Sequence, residues 1–298
     1  MFSAHTQATI HKRRKRQSAE IKRESEMYKL YGVPLSQPFR SVAWTMLQLG
    51  VKFEIQLAVP GATTKLGTKH ENFRSLTPYR HDQVPVLVVD DKVTIAQSPA
   101  ILSYICDRHG TNKTSANVKD SVQLYAPPGT TDRALIDSYL HWHHNNTRKL
   151  STLFGSRVRP DLKRMVGDAE LDIVQEVLTT LDKGWLSYSS SSSNFIAGSL
   201  HPTIADILAF EEISALTMTE LVTIDPKLHS NLSNWMQQLS SLPYFDAAHQ
   251  SLLILGNLSV ESEMPLVQRL SQATKAGLQA FKSAQTDFPE TLKKKSSL

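Results

Sequence analysis

Every stretch that reads as a β-strand lies before residue 97, and after Thr131 only helical periodicity remains. A chain divided in this way cannot build one sandwich, barrel or doubly wound sheet. It has to place a small sheet in its first part and a helical body in its second. The 298 residues suit two domains at roughly 100–200 residues each.

The first strand pattern is Tyr28–Val33, which alternates polar and apolar side chains. Pro38 follows at the start of a helical stretch, where its missing N–H costs nothing. Val42, Trp44, Met46, Leu47 and Leu49 form the apolar face of that helix, and Gly50 ends it. Lys52–Val59 alternates again, Val84–Val89 is an apolar run suited to a buried strand, and Val93–Ala96 pairs with it across Asp90-Asp91. Ser98-Pro99 then opens a helix with Ile101, Leu102 and Ile105 inward. The spacing predicts an α+β domain with a small mixed sheet over 27–109 and a Thr-, Asn- and Pro-rich linker over 110–131. An all-helical domain follows over 132–256, with stretches at about 132–155, 161–188, 203–223, 228–241 and 244–256. Leu266, Leu270, Ala273 and Phe281 predict one more amphipathic helix within a C-terminal extension, 257–298.

Charge is concentrated at one end. Residues 1–26 carry seven Lys/Arg and three Glu, which leaves 26 basic against 25 acidic residues in the rest. A nucleic-acid enzyme spreads basic residues over a folded face, and this chain does not. Its start reads as a disordered basic tail; the run Lys12–Arg16 also suits a nuclear address, and the acid-poor beginning a transit peptide. No apolar stretch follows the basic cluster, unlike a secretory signal, and no window approaches the roughly 18 apolar residues of a membrane span. A soluble protein without membrane or nucleic-acid partners is expected. The single cysteine, Cys106, allows no internal disulfide and suits a reducing compartment. His141 and His144 share a helical face, but no carboxylate completes a metal set, so none is expected.

Several short strings bear on chemistry. Leu35-Ser36-Gln37-Pro38-Phe39-Arg40 joins the first strand to the first helix, and Gln83-Val84-Pro85-Val86-Leu87 precedes Gln97-Ser98-Pro99-Ala100-Ile101. In the helical half stand Trp142-His143-His144 through Arg148, Phe195-Ile196-Ala197-Gly198, Thr203-Ile204-Ala205-Asp206 and Phe245-Asp246-Ala247-Ala248-His249. Ser36 and Ser98 each stand where a helix begins. That place suits an ordinary N-cap, and it equally suits a ligand anion held by backbone N–H groups and the helix dipole. Thr203–Asp206 is a capping box and a folding element.

In this order the strings resemble the cytosolic glutathione transferases, most of all the theta class, over about residues 27–256. The resemblance implies a thioredoxin-like N-terminal domain, an all-α C-terminal domain, and glutathione as co-substrate with no metal. It further implies a cytoplasmic homodimer acting in detoxification on a small electrophile. Ser36 would be the catalytic hydroxyl that holds glutathione as thiolate. A free thiol is only a few per cent ionised at pH 7, and lowering its pKa by two units takes about 2.7 kcal/mol. One hydroxyl donor to a charged acceptor supplies roughly 1.5–3 kcal/mol, so a serine at a helix end is about sufficient.

The same likeness implies a cis Val84-Pro85 bond, with the Val84 main chain pairing to the cysteinyl part of glutathione. Gln97 and Ser98 would hold the γ-glutamyl end. Gln97 departs from the usual acidic residue, and so offers no full charge to the α-amino group. The loop Thr77–Gln83 is about two residues longer than usual, and leaves Lys69, His70 and Gln83 as candidates for the glycine end. Arg148 would face the electrophile or serve as a surface ion pair. The alternative reading is a non-catalytic interaction module of the same fold.

Overall fold

The computed structural model describes residues 26–110, 123–159, 166–188, 195–286 and 288. The expectations for residues 1–25, for most of the linker and for the last residues lie outside them.

Four strands form one sheet: β1 (Tyr28–Gly32), β2 (Glu54–Leu57), β3 (Val86–Val89) and β4 (Val93–Ala96), in the order β2-β1-β3-β4. The β1–β2 pair is parallel, because a helix crosses between them, and the other two pairs are antiparallel. That helix, α1 (Gln37–Gln48), is buried along nearly its whole length, and Gly50 closes it at φ 65°. The sheet is covered on both faces. Leu30, Leu87 and Val89 face α1 and α3 (Ser98–His109), whereas Val86, Val88 and Ala96 pack with Phe73 of the single-turn α2 (Glu71–Arg74). A strand covered on both sides loses polar alternation, which is why β3 reads as an unbroken apolar run. This is a thioredoxin-like domain.

The second part is helical: α4 (Thr131–Asn145), α5 (Ser151–Val158), α6 (Asp168–Thr180), α7 (Ile204–Thr217), α8 (Ser230–Ser240), α9 (Phe245–Leu255) and α10 (Leu266–Thr286). The capping box forms at the start of α7, with the Thr203 N–H and hydroxyl both donating to Asp206 Oδ2, at 2.8 and 2.9 Å. Asp206 Oδ1 also accepts from the Ile196 N–H and from Trp235 Nε1, which ties three segments to one carboxylate. Burial pushes its pKa up to about 6 even so.

Where the expected helix 132–155 should be continuous, the chain breaks at Asn146 (φ −128°, ψ −87°) and makes one 3₁₀ turn over Thr147–Leu150 before α5. Asn146 Nδ2 bonds back to the Trp142 carbonyl, a local side-chain bond that competes with helix continuation. The stretch 161–188 is likewise shorter as an α-helix, ending at Thr180 in a π turn over Leu181–Trp185.

The two parts share one apolar core. Trp44 of α1 meets Phe210, Phe245 and His249 in edge-on or tilted ring contacts, and donates from Nε1 to the Pro243 carbonyl at 2.9 Å. Among the described residues no helix is long and apolar enough to cross a membrane.

Candidate active site

A cleft of about 590 Å³ lies between the two parts. Its floor is built from the ends of sheet elements: Ser36 and Gln37 where α1 begins, Pro60 and Gly61 after β2, Gln83–Pro85 before β3, and Gln97–Ser98 where α3 begins. Its opposite wall comes from the broken α4–α5 segment, with His143, His144, Arg148, Phe154 and Arg159. Leu270 and Thr274 of α10 close one side.

Ser36 occupies the N-cap position of α1, yet its hydroxyl makes no capping bond. The turn is held by main-chain bonds instead, Ser36 N–H to Val33 O and Arg40 N–H to Ser36 O, each 2.9 Å. A serine hydroxyl relieved of capping beside a helix N-terminus is available to a ligand. Tyr31, the nearest other hydroxyl in sequence, packs its ring against Phe73 on the sheet face under α2 and does not line the cleft.

The Val84-Pro85 bond is cis. It precedes the β3 ladder, which starts at Val86, so the Val84 N–H and C=O take no partner among the described residues. Gln97 is held at φ 72°, a left-handed conformation that costs a non-glycine residue of order 1–3 kcal/mol and tends to persist at ligand clamps. Ser98 is buried at the first position of α3. Lys69 is exposed at the rim.

His70 departs from the expected set. It caps α2, its Nδ1 accepting from the Asn72 N–H at 3.1 Å, and it does not line the cleft. Residues of the lengthened loop take that side instead: His81 and Asp82 line the cleft next to Gln83. The loop is clipped to α2 by a two-pronged ion pair from Arg80 to Glu71.

The break at Asn146 turns Arg148 into the cleft wall, where Nη1 donates to Glu212 Oε1 at 2.7 Å. Glu212 is fully buried in α7, and burial raises its pKa while Arg148 opposes the shift. His143, also buried, lies 3.8 Å from the same oxygen, beyond hydrogen-bond reach. Burial first, then the charges of Arg148 and His144, lower its pKa to about 3, so it faces the cleft neutral. Arg148 thus lines the cleft, and its ion pair is with a buried carboxylate and not a surface one.

Several lining residues carry no sequence signal. Arg159, at the end of α5, reaches across to donate to the Pro60 carbonyl, and a side chain on Gly61 would meet its guanidinium at 3.1 Å. Gln37, next to Ser36, also lines the cleft. It is buried, and its Nε2 has no partner among the described residues. Asp82 stands as the one acidic group lining the cleft among the described residues, against Lys69, Arg148 and Arg159. Among those residues no group of three or more His, Cys, Asp or Glu is placed to hold a metal ion.

Residues 30–113 match the family model of the glutathione S-transferase N-terminal domain. With that domain joined to this helical body, the chain is similar to the glutathione S-transferases along most of its length. Its particular likeness is to the theta class. Glutathione S-transferase T1 of Arabidopsis thaliana is 25% identical over 267 residues, covering 85% of this chain and 98% of that protein. Glutathione S-transferase T3 of the same plant is 27% identical over 236 residues, or 75% of this chain, which spans only 37% of that longer relative. Two solved human structures share the fold. Glutathione S-transferase T1-1 in its apo form has a TM-score of 0.61 at 21% identity, covering 84% of this chain and 99% of its own. Glutathione transferase theta-2, in complex with glutathione and an unknown ligand, has a TM-score of 0.63 at 18% identity, covering 88% and 100%.

Proposed function

We propose that this chain is a glutathione transferase: it binds glutathione in the interdomain cleft, and Ser36 holds its thiol as a thiolate. That thiolate attacks a small electrophile or reduces a peroxide. The observation that carries this reading is the Ser36 hydroxyl, unused as a cap at the α1 N-terminus, in one cleft with the cis Val84-Pro85 segment, whose Val84 main chain takes no partner among the described residues. An extended peptide pairs with such a main-chain edge. Ser98 and Gln97 then take the γ-glutamyl end, Ser98 through its hydroxyl and the α3 N-terminus, while Lys69 and Gln83 take the glycine end. The excess of Lys and Arg over acidic groups in the lining favours a ligand with two carboxylates. A non-catalytic module would have no use for a serine left free in this position. Cytoplasmic residence, detoxification and homodimerisation belong to the same proposal by family likeness, as does an address carried by the basic N-terminal residues.

The test is the ionisation of bound glutathione. Ser36→Ala is expected to bind glutathione within a few-fold of wild type while the bound thiol pKa rises by about one to two units, the equivalent of a charge-assisted hydrogen bond. Conjugation at pH 7 should fall about ten- to a hundredfold and recover partly at higher pH. Titration of thiolate absorbance in both proteins measures this. An unchanged pKa with unchanged turnover would reduce Ser36 to a turn residue.

A further inference from the structure

The segment Pro34-Leu35, immediately before Ser36, is gripped by a buried side chain that none of the binding roles above uses. Arg40 is completely buried on the first turn of α1. Its Nη1 donates to the Leu35 carbonyl at 3.0 Å and to the Pro34 carbonyl at 3.3 Å. On its other side Nε donates to Glu211 Oε2 at 2.6 Å, and Nη2 to the Glu211 main-chain carbonyl at 3.1 Å. Glu211 is as buried as Arg40 and belongs to α7 of the helical domain.

A charge at this depth is a costly way to join two helices. An apolar pair of similar volume is often as stable or more so. What an apolar pair cannot do is hold two loop carbonyls from across a domain boundary. Only a guanidinium, with its planar fork of five donors, spans four acceptors on two elements in a fixed geometry. The arrangement is reinforced on Pro34 alone: Ser251 of α9 donates to its carbonyl at 3.0 Å, and α10 packs Gly277 against its ring.

We propose that Arg40 is a positioning residue, which, anchored by Glu211, fixes the Pro34-Leu35 carbonyls and through them the place of the Ser36 hydroxyl relative to the glutathione sulfur. This rests on the proposed role of Ser36. A shift of well under 1 Å at a hydroxyl donor weakens a charge-assisted bond without removing it, so the effect is graded rather than all-or-none.

Arg40→Lys keeps a cation beside Glu211 but offers one ammonium where four acceptors were served. The expected result is a folded protein that binds glutathione within a few-fold. Its bound thiol pKa should rise by about half a unit to one unit, and its turnover at pH 7 should fall about three- to tenfold and be restored at high pH. Amide exchange over residues 35–37 should be faster than in wild type. Glu211→Gln, which keeps the shape and releases the charge, should move the pKa the same way; it carries the test if Arg40→Lys fails to fold. Ser36→Ala is titrated alongside. A raised pKa in Ser36→Ala with wild-type values in both Arg40→Lys and Glu211→Gln overturns the inference and leaves Ser36 its role. Wild-type values in all three overturn both. A loss of melting temperature alone, with pKa and exchange unmoved, makes Arg40 a merely structural link and also overturns it.

Discussion

Glu211 and Glu212 are neighbours in α7, equally buried, yet their acidities move in opposite directions. Burial raises both, but for Glu211 the charges of Arg40 and His249 outweigh it and the pKa ends below the usual carboxylate range. For Glu212 the half-exposed Arg148, helped more weakly by Arg40, does not offset burial, to which the charge of Glu211 adds, and its pKa stays raised. His143, beside them, is buried without its proton. Its folded pKa of about 3 against an ordinary 6.5 means the unfolded chain binds the extra proton between those values. Its contribution to stability is therefore present above pH 6.5 and lost as pH falls from 6.5 towards 3. Each pH unit in that window is worth up to about 1.4 kcal/mol from this one group. His143→Gln should flatten the dependence: urea midpoints between pH 6.5 and 4 are expected to fall less steeply than in wild type. Parallel slopes in the two proteins would show that other groups govern acid unfolding.

At the scale of elements, α10 joins the C-terminal segment to the first domain and reaches the edge of the cleft. Its apolar stripe finds its partners in the first domain and in α9: Phe281 is fully buried against Phe39 and Phe53, and the Phe53 N–H donates to Gln285. The approach is close enough that Gly277 leaves no room for a methyl group. A Cβ there would sit 2.5 Å from Pro34 Cβ and 3.0 Å from Ser251 Cβ. Gly277→Ala gains about 1 kcal/mol in helix propensity but meets an overpacking cost of about 1–3 kcal/mol. A net loss near 1 kcal/mol is expected, a fall of about 2–4 °C in melting temperature for a chain of this size. Because the clash falls on Pro34, two residues from Ser36, turnover should drop with it. A higher melting temperature than wild type would mean that α10 yields at this contact. The helix also supplies Leu270 and Thr274 to the cleft.

For the molecule as a whole, the boundary between the sheet domain and the helical domain is not a seam. Trp44, Phe210, Phe245 and His249 form a single aromatic cluster across it, and the Arg40–Glu211 pair lies beside that cluster. Separating the domains would expose this surface and leave two buried charges to be solvated, a cost larger than most interdomain contacts impose. Thermal unfolding should accordingly be one cooperative transition, with near-ultraviolet dichroism of the tryptophans and far-ultraviolet dichroism of the backbone giving coincident curves. Two resolved transitions would show that the interface opens before either domain melts.

Much of this was legible in the residues themselves. Period-2 patterns end before residue 97, Pro and Gly bracket α1, and Thr203–Asp206 is a self-contained capping box; each is decided by contacts within a few residues, which is the range a sequence pattern covers. The cis Val84-Pro85 bond and the grouping of Ser36, Gln83 and Ser98 were reached through family likeness, and the fold brings them to one cleft. The tertiary structure alone decided the rest. Nothing local distinguishes His70 as the cap of a one-turn helix from His70 as a ligand residue, and the Asn146 break, where the side chain bonds back to Trp142, falls within an otherwise helical pattern. Arg40 and Glu211 are 171 positions apart, and neither charge predicts the other. Burial removes the water that would have screened them, so their meaning comes from the packing around them and not from the order of the chain.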